Sequence, residues 1–308
     1  MGVLRALLLA ASQNRWLRER ASHYTFVKRS VARFMPGETV EEAIAAAREL
    51  ETKEIGTVLT HLGENVSDAR EAEKVVTHYF EVLEKLRAER LETEISVKLT
   101  QLGLDLSEGL CEQNLRRLFA AEDKRKTLWI DMEASKYVEA TLKIYRSVLA
   151  EYPNAGICLQ AYLHRTASDV ESLLSRKASI RLVKGAYAEP PEIAIRRKDA
   201  IDANYLSLAQ DLLRVQAAGD LRRAAFATHD TRLIRHITDF AAANGISRIE
   251  VEVQMLYGIQ RAEQERLAKG GWRSGVLIAY GDFWYPWFVR RLAERPANLW
   301  LLLRNLMS

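Results

Sequence analysis

Short apolar runs rich in Ile, Val and Leu alternate with longer stretches of helical period from about residue 54 to the end of the chain. Alternation between apolar and polar positions is weak within the runs, as expected for parallel strands that are covered on both faces. Strands that alternate with helix-sized gaps indicate βα units around a parallel sheet. We predict eight strands, at residues 55–60, 95–99, 128–132, 156–161, 180–183, 224–228, 249–254 and 276–279.

Helix boundaries carry their own signals between these runs. Thr39 with Glu42, and Thr166 with Asp169, have the spacing of a capping box, in which two side chains bond the first free amides of a helix. The Asn-Gly pair at 244–245 is typical of a helix end. The sequence therefore predicts helix starts after residues 39 and 166 and a helix end near residue 244.

The fold class predicted by these repeats is α/β, as a closed (βα)8 TIM-type barrel with extra N-terminal helices. A closed barrel is favoured over an open doubly wound sheet because no Gly-rich dinucleotide fingerprint follows a strand. The length of 308 residues fits one barrel with an appendage. We expect an N-terminal helical appendage at residues 1–52 and the barrel, with the functional site, at residues 53–308.

Charge and cysteine content narrow the function classes. Lys and Arg number 45 against 41 Asp and Glu, and the two signs are interspersed, so we expect no nucleic-acid partner. The two cysteines, Cys111 and Cys158, exclude a disulfide framework and favour a reducing compartment. No Cys/His cluster has the spacing of a zinc site, and we expect no metal.

An apolar run at residues 3–11 is interrupted by Arg5 and is too short to span a bilayer. We interpret it as an amphipathic helix. The expected location is cytoplasmic, with peripheral contact at the inner membrane face as an open alternative.

Polar side chains follow nearly every predicted strand. In a barrel enzyme the active site is built from the carboxyl ends of the strands, so these side chains are expected to meet. Burying a charge without a partner costs free energy, so a chain with ionisable side chains at so many strand ends is expected to use them for function. The side chains that stand at these ends include Lys98, Asp131, Gln160, Arg181, Lys184, Thr228, His229, Asp230 and Gln254.

Each of these residues also has a simpler interpretation. Lys98 is compatible with an ordinary strand-end lysine, Asp131 with a helix cap, and His229 with a histidine that only supports its neighbours. The pair at 290–291, Arg-Arg, is compatible either with surface ion pairs or with bidentate capture of a carboxylate. Lys184 could also serve as the Schiff-base amine of a barrel aldolase.

Five ordered segments resemble a known family. They are Gln-Ala-Tyr-Leu-His-Arg-Thr at 160–166, Arg-Leu-Val-Lys-Gly-Ala-Tyr at 181–187 followed by Glu189-Pro190, Phe-Ala-Thr-His-Asp at 226–230, Glu-Val-Gln at 252–254, and Arg-Arg-Leu-Ala-Glu-Arg-Pro at 290–296. The chain resembles the monofunctional bacterial proline dehydrogenases from about residue 27 to its end. The resemblance implies a (βα)8 barrel that carries FAD, oxidises L-proline to Δ1-pyrroline-5-carboxylate and passes the electrons to a membrane quinone.

The resemblance also assigns roles to individual residues. The positions matching the flavin site are Gln160, Arg181, Val183, Lys184, Gly185, Thr228, His229, Asp230, Gln254 and Arg291. The positions matching the substrate site are Lys98, Arg290 and Arg291 as a carboxylate clamp, Asp131 beside it, and Ala186, Tyr187 and Leu256 along the pocket.

The chain departs from the family at two positions expected to line the substrate ring. Leu277 stands where the family usually has the Tyr of an Arg-x-Tyr-x-Pro-x-Gly strand, and Trp287 stands where it commonly has another Tyr. Two alternatives to proline oxidation therefore stay open: a flavin-dependent dehydrogenase of another cyclic imino acid, and a non-catalytic flavoprotein of the same fold.

Overall fold

Eight parallel strands close into a barrel in chain order in this computed structural model, which describes residues 31, 33–63, 65–285 and 288–289. The strands are β1 Gly56–His61, β2 Glu94–Lys98, β3 Leu128–Asp131, β4 Ala155–Gln160, β5 Ser179–Val183, β6 Arg223–Ala227, β7 Glu252–Leu256 and β8 Arg273–Tyr280. The helices are α1 Val40–Glu51, α2 Ala69–Ala88, α3 Glu108–Ala121, α4 Val138–Leu149, α5 Thr166–Leu174, α6 Lys198–Ala217, α7 Thr231–Ala243 and α8 Arg261–Lys269.

The predicted (βα)8 barrel is confirmed, because α2 to α8 follow β1 to β7 one by one. β8 pairs with β1 from Gly275–Gly56 to Tyr280–His61, and this pairing closes the sheet. Closure leaves no strand of the barrel with a free edge, because each of the eight strands pairs with a neighbour on both sides.

Two strand predictions need correction. The seventh strand begins at Glu252 instead of residue 249, because Ile249 lies in a short 3₁₀ helix, Arg248–Glu250, and is 63% exposed. The eighth strand begins at Arg273 instead of residue 276, so its first residues are polar or glycine and gave no apolar signal.

The helix signals have different outcomes. Thr39 and Glu42 form the predicted capping box at the start of α1, and α7 ends at Ala243 as the Asn-Gly pair predicts. The capping box predicted for Thr166 and Asp169 is wrong. Thr166 is already helical and its Oγ1 donates to the Gln160 carbonyl at 2.5 Å, while Asp169 pairs with Arg165.

Helix α1 packs against β1 and β8 and belongs to the main core through Ala43, Ala47 and Leu50. Arg48 of α1 also bonds Glu89 after α2 at 2.5 Å. The helix therefore covers the outside of the seam where β8 meets β1.

Two described residues after β8, Trp284 and Phe288, lie at the other end of the same seam. Trp284 and Phe288 form a separate apolar cluster with Val31, Met35 and Leu62. Because Leu62 directly follows β1, this cluster lies at the carboxyl end of the barrel, where an active site is expected.

Candidate active site

Three charged side chains, from β2, β3 and β5, meet inside the barrel toward its carboxyl end. Arg181 of β5 donates to Asp131 of β3 (Nη2 to Oδ1, 2.9 Å), and the Lys98 Nζ of β2 lies 3.5 Å from Asp131 Oδ2. Ser96, two residues before Lys98 and therefore on the same strand face, bonds both Arg181 (2.6 Å) and Asp131 (2.7 Å). The structure thus brings together three residues predicted to belong to the site.

The two cations determine the charge state of Asp131. Burial by itself would raise the pKa of this carboxyl group, but Lys98 and Arg181 outweigh burial and hold its pKa below the usual range. Asp131 is therefore a carboxylate that offsets part of the positive charge of its two neighbours.

Arg181 is fixed from several sides, and only 3% of its surface is exposed. Its Nη1 donates to Gln254 Oε1 at 3.3 Å, which brings a fourth predicted site residue into contact with the group. Its guanidinium carbon lies 4.8 Å from the centroid of the Trp129 ring, within the range of a cation–π contact.

A second charged layer lies deeper in the barrel. Glu252 accepts from Gln254 Nε2 at 2.7 Å and from Arg223 Nε at 2.7 Å, and Arg223 also donates to Glu94 at 2.5 Å. Burial opposes the charge on Glu252, but Arg223 prevails and lowers its pKa to about 2. Because β7 begins at Glu252, this residue belongs to the amino end of the barrel and not to the strand-end site.

Lys184, directly after β5, is held by carboxylates from two helices. Its Nζ lies 2.5 Å from Asp202 of α6 and 3.6 Å from Asp230, which caps α7. A hydrogen bond from Arg232 and other favourable contacts lower the pKa of Asp230 to about 2. The Lys184 amine is thus engaged by two carboxylates, whereas a Schiff-base lysine needs its amine free to attack a carbonyl carbon.

His229 joins the ends of β6 and β7. Its Nε2 accepts from the Leu256 backbone amide at 3.0 Å, so in the neutral ring the proton lies on Nδ1. Thr228 Oγ1 accepts from the Asp230 amide at 3.2 Å. The three consecutive residues predicted for a cofactor site are thus ordered around the end of β6.

The end of β4 presents a buried hydrogen-bond acceptor. Gln160 donates through Nε2 to the Glu133 carbonyl at 3.3 Å, which directs its Oε1 the other way. That Oε1 is buried and has no hydrogen-bond partner among the residues that the structure describes. An unpaired buried acceptor costs free energy, so Gln160 Oε1 is available for a donor beyond the described residues.

The remaining predicted pocket residues lie on two elements. Val183 ends β5, and Gly185, Ala186 and Tyr187 follow it as half-buried residues of one loop. Leu277 of β8 lies inside the barrel, where it packs against a small apolar cluster of Val58, Trp129 and Ala225. Three predicted residues, Trp287, Arg290 and Arg291, lie outside the described residues.

Comparison with known proteins identifies the family. The family model described as proline dehydrogenase matches residues 43–300. Proline dehydrogenase 1 of Bacillus subtilis strain 168 is 35% identical over 99% of this chain and 100% of its own length. The chain belongs to the proline dehydrogenase family.

Two other proteins show the same relationship. The proline dehydrogenase of Deinococcus radiodurans is 35% identical over 90% of this chain and 89% of its own length. The crystal structure of proline utilization A from Bdellovibrio bacteriovorus superposes with a TM-score of 0.77 at 26% identity. That superposition covers 86% of this chain and 32% of the larger protein.

In this proline dehydrogenase family member, several residues that position the site were missed by the sequence analysis. Ser96 and Trp129 hold Arg181, and Asp202 holds Lys184. Strand alternation could have found Ser96 and Trp129, because each lies two residues before a predicted site residue on the same strand. His61 and Tyr280, by contrast, lie on the outer face of the barrel, where their rings contact His78 of α2.

Proposed function

We propose that this chain is an FAD-dependent dehydrogenase that oxidises L-proline to Δ1-pyrroline-5-carboxylate. The observation that supports it best is the Lys98–Asp131–Arg181 group at the carboxyl end of the barrel. A barrel enzyme carries out its chemistry at this end, and a family member is expected to bind an amino-acid carboxylate there.

The described residues fit FAD. The unpaired Oε1 of Gln160 needs a buried N–H donor, and a flavin ring carries one. Lys184 and the ordered end of β6 offer a cation and the Thr228 hydroxyl group near each other, which suits phosphate and ribose. The residues proposed to hold FAD are Gln160, Arg181, Val183, Lys184, Gly185, Thr228, His229, Asp230 and Gln254, with Arg291 outside the described residues.

When bound, FAD supplies the acceptor for the hydride that leaves the substrate ring. Arg181 is already fixed by Asp131, Ser96 and Gln254, so it offers a preorganised positive charge beside negative charge that develops on an acceptor. No rearrangement of this guanidinium is needed during the reaction.

Lys98 is the cation proposed to bind the substrate carboxylate, together with Arg290 and Arg291. Its Nζ is 3.5 Å from Asp131, a longer separation than the 2.9 Å of the Arg181 contact, and 13% of its side chain is exposed. An ammonium held this loosely can turn toward a second carboxylate. Holding the ring in one orientation replaces a bimolecular encounter with a fixed geometry.

A membrane quinone is the proposed electron acceptor, and a cytoplasmic location with peripheral contact at the inner membrane face is proposed with it. Within the part of the chain that the structure describes, no helix has the length and apolarity needed to cross a bilayer.

Oxidation of another cyclic imino acid is the second candidate, and Leu277 favours it. Its neighbours inside the barrel, Val58, Trp129 and Ala225, form an apolar cluster. A leucine there gives the substrate ring an apolar contact with no hydroxyl group. We therefore propose a pocket that accepts substituents or extra ring carbons on proline.

The test is anaerobic bleaching of the flavin absorbance by L-proline, 4-hydroxyproline and pipecolate. Bleaching by L-proline is expected, and bleaching that is faster with an analogue would favour the second candidate. If the protein takes up FAD but none of the three compounds bleaches the bound flavin, the result would favour a non-catalytic flavoprotein. Absence of flavin absorbance after reconstitution with FAD would overturn both candidates and reopen the aldolase interpretation.

The matched variant for cofactor binding is Gln160→Met, which keeps the side-chain length and removes the amide. We expect weaker FAD binding, measured by flavin fluorescence. Gln216→Met is the control, because Gln216 lies at the amino end of the barrel, where its side-chain oxygen accepts from the Ala224 backbone amide.

A further inference from the structure

The loop after β5 connects two regions of the barrel mouth. Both ends of residues 185–190 are held by the turn after β4: the Tyr162 amide donates to Lys184 O at 2.8 Å, and the His164 amide donates to Ile193 O at 3.0 Å. The returning strand of the loop also forms an antiparallel bridge between Ala194 and Leu163. The base of the loop is therefore part of the rigid barrel.

Gly185 fixes the direction in which the loop leaves the barrel. Its φ is +109°, in the region that only glycine adopts readily, and a Cβ atom there would lie 2.0 Å from the Tyr162 ring. The backbone thus passes directly over this ring. Ala186 and Tyr187 follow as half-buried residues.

The far part of the loop is bonded to the segment that follows β3. Glu189 accepts two hydrogen bonds from Ser135, one from the backbone amide (to Oε1, 2.7 Å) and one from the hydroxyl (to Oε2, 2.5 Å). Ser135 begins a 3₁₀ helix whose own cap residue, Ala134, supplies no side-chain acceptor. Glu189 therefore provides the cap that this helix lacks, from a loop 54 residues away.

Ser135 is itself well anchored. Two residues later, the Tyr137 hydroxyl donates to Asp105 Oδ1 at 2.8 Å, and Asn65 Nδ2 donates to Asp105 Oδ2 at 2.6 Å. The loops after β1, β2 and β3 are joined in this way around the mouth. The bond to Glu189 adds the loop after β5 to the same network.

We propose that Glu189 is a positioning residue that holds the loop bearing Ala186 and Tyr187 against the substrate site by its two bonds to Ser135. The inference rests on the proposed function, because the substrate role of Ala186 and Tyr187 belongs to that proposal. Ser135 lies four residues after Asp131, so the contact sets the distance between the two loops that lead away from the site.

We call the loop closed when the bonds between Glu189 and Ser135 hold it in place. Loss of this contact is expected to lower the fraction of enzyme molecules that have the closed loop. If only a fraction of the free enzyme has the loop in place, the apparent affinity for substrate falls by that fraction. At saturation, substrate binding restores the closed loop, so kcat changes little. The base of the loop is held by Tyr162 in every case, and FAD binding is expected to stay within about twofold of wild type.

The two bonds allow a graded series of variants. Ser135→Ala keeps the amide bond and loses the hydroxyl bond, and we expect KM to rise about threefold. Glu189→Gln keeps an acceptor for the Ser135 amide and offers an N–H that the Ser135 hydroxyl can accept, so it removes the charge while both contacts can persist. Glu189→Ala loses both contacts and is expected to raise KM about tenfold. The double variant Glu189→Ala/Ser135→Ala is expected to equal Glu189→Ala, because the hydroxyl then has no partner to lose.

Hydrogen–deuterium exchange of residues 185–193 in the FAD-bound enzyme without substrate gives an independent measurement. We expect faster exchange in the same order as the rise in KM. Glu192→Ala is the control, because Glu192 is an exposed residue of the same loop, and it should change neither quantity.

Unchanged exchange in Glu189→Ala would refute the tether, and faster exchange with an unchanged KM would refute its role in substrate binding. A fall in kcat with constant KM would equally contradict it. If no cyclic imino acid bleaches the wild-type flavin, the proposed function fails, and the tether is then judged on exchange alone.

Discussion

The Arg181 guanidinium lies against the indole of Trp129 in the interior of the barrel, with 4.8 Å between the guanidinium carbon and the ring centroid. Arg223 approaches the same ring at 5.1 Å, and the indole nitrogen donates to Glu94 at 2.8 Å. Trp129 is fully buried. One aromatic side chain thus connects the charged layer at the active-site end with the layer at the amino end.

The space for Trp129 depends on Gly156 of β4. A Cβ atom at residue 156 would lie 2.5 Å from Trp129 Cε3 and 2.7 Å from Thr127 Cγ2. Gly156→Ala is therefore expected to lower the free energy of unfolding by about 1–3 kcal/mol through overpacking. Urea unfolding measures this change, and near-ultraviolet circular dichroism detects the displaced indole.

Gly56→Ala is the matched control on β1. A Cβ atom there meets only the Ser274 carbonyl, at 3.6 Å, which is an ordinary contact. Its effect on unfolding should stay within about 0.5 kcal/mol. Equal effects of the two substitutions would show that Gly156 makes no special room for Trp129.

Glu252→Gln tests the deeper charged layer. Removing this carboxylate leaves Arg223 paired with Glu94 alone, and breaking a buried ion pair lowers the free energy of unfolding by about 3–5 kcal/mol at neutral pH. The pKa of Glu252 is lowered from 4.5 to about 2, so its stabilisation is present in full above pH 4.5. It is lost as the pH falls through the folded-state pKa.

Wild type and Glu252→Gln should therefore converge in stability as the pH approaches about 2. Urea unfolding as a function of pH gives the comparison, with Glu171→Gln on the exposed face of α5 as the control. A difference that persists unchanged at low pH would rule out the ion pair as its cause.

Lys98→Ala is expected to weaken substrate binding by about 1.5–3 kcal/mol, the contribution of a hydrogen bond to a charged group. The measurement is the dissociation constant of a carboxylate-bearing inhibitor, read from the flavin spectrum. Lys124→Ala, on an exposed lysine before β3, controls for a general change in charge. Unchanged inhibitor binding would make Lys98 an ordinary strand-end lysine.

Leu277→Tyr addresses substrate choice. A tyrosine adds bulk and a hydroxyl to the apolar cluster around Trp129, so discrimination in favour of proline over pipecolate should rise by about 1–3 kcal/mol. The measurement is the ratio of kcat/KM values for the two substrates, with Leu277→Met as a control of similar volume. If both variants leave the ratio unchanged, Leu277 does not shape specificity.

Most of the fold was predictable because buried parallel strands leave apolar runs in the sequence. β5 was predicted to within one residue, since Ile180 and Leu182 are fully buried. The start of β7 was not predictable, because Ile249 is apolar yet exposed. Apolar character reports burial on average, and an exposed isoleucine in a 3₁₀ helix is indistinguishable from a strand residue.

The sequence predicted which residues belong to the candidate site, but not all of the contacts that position them. The strand ends identified Lys98, Asp131 and Arg181, because carboxyl ends of barrel strands converge. Nothing local in the sequence could pair Glu189 with Ser135, since their contact depends on the path of two loops and not on strand spacing.

The position of α1 has a consequence for the opposite end of the chain. In a regular barrel, the helix after the last strand covers the seam between that strand and the first. Here α1, which precedes β1 in the chain, covers that seam. Trp284 and Phe288 instead pack beside Leu62 at the barrel mouth, so these two side chains are available to line the proposed substrate site.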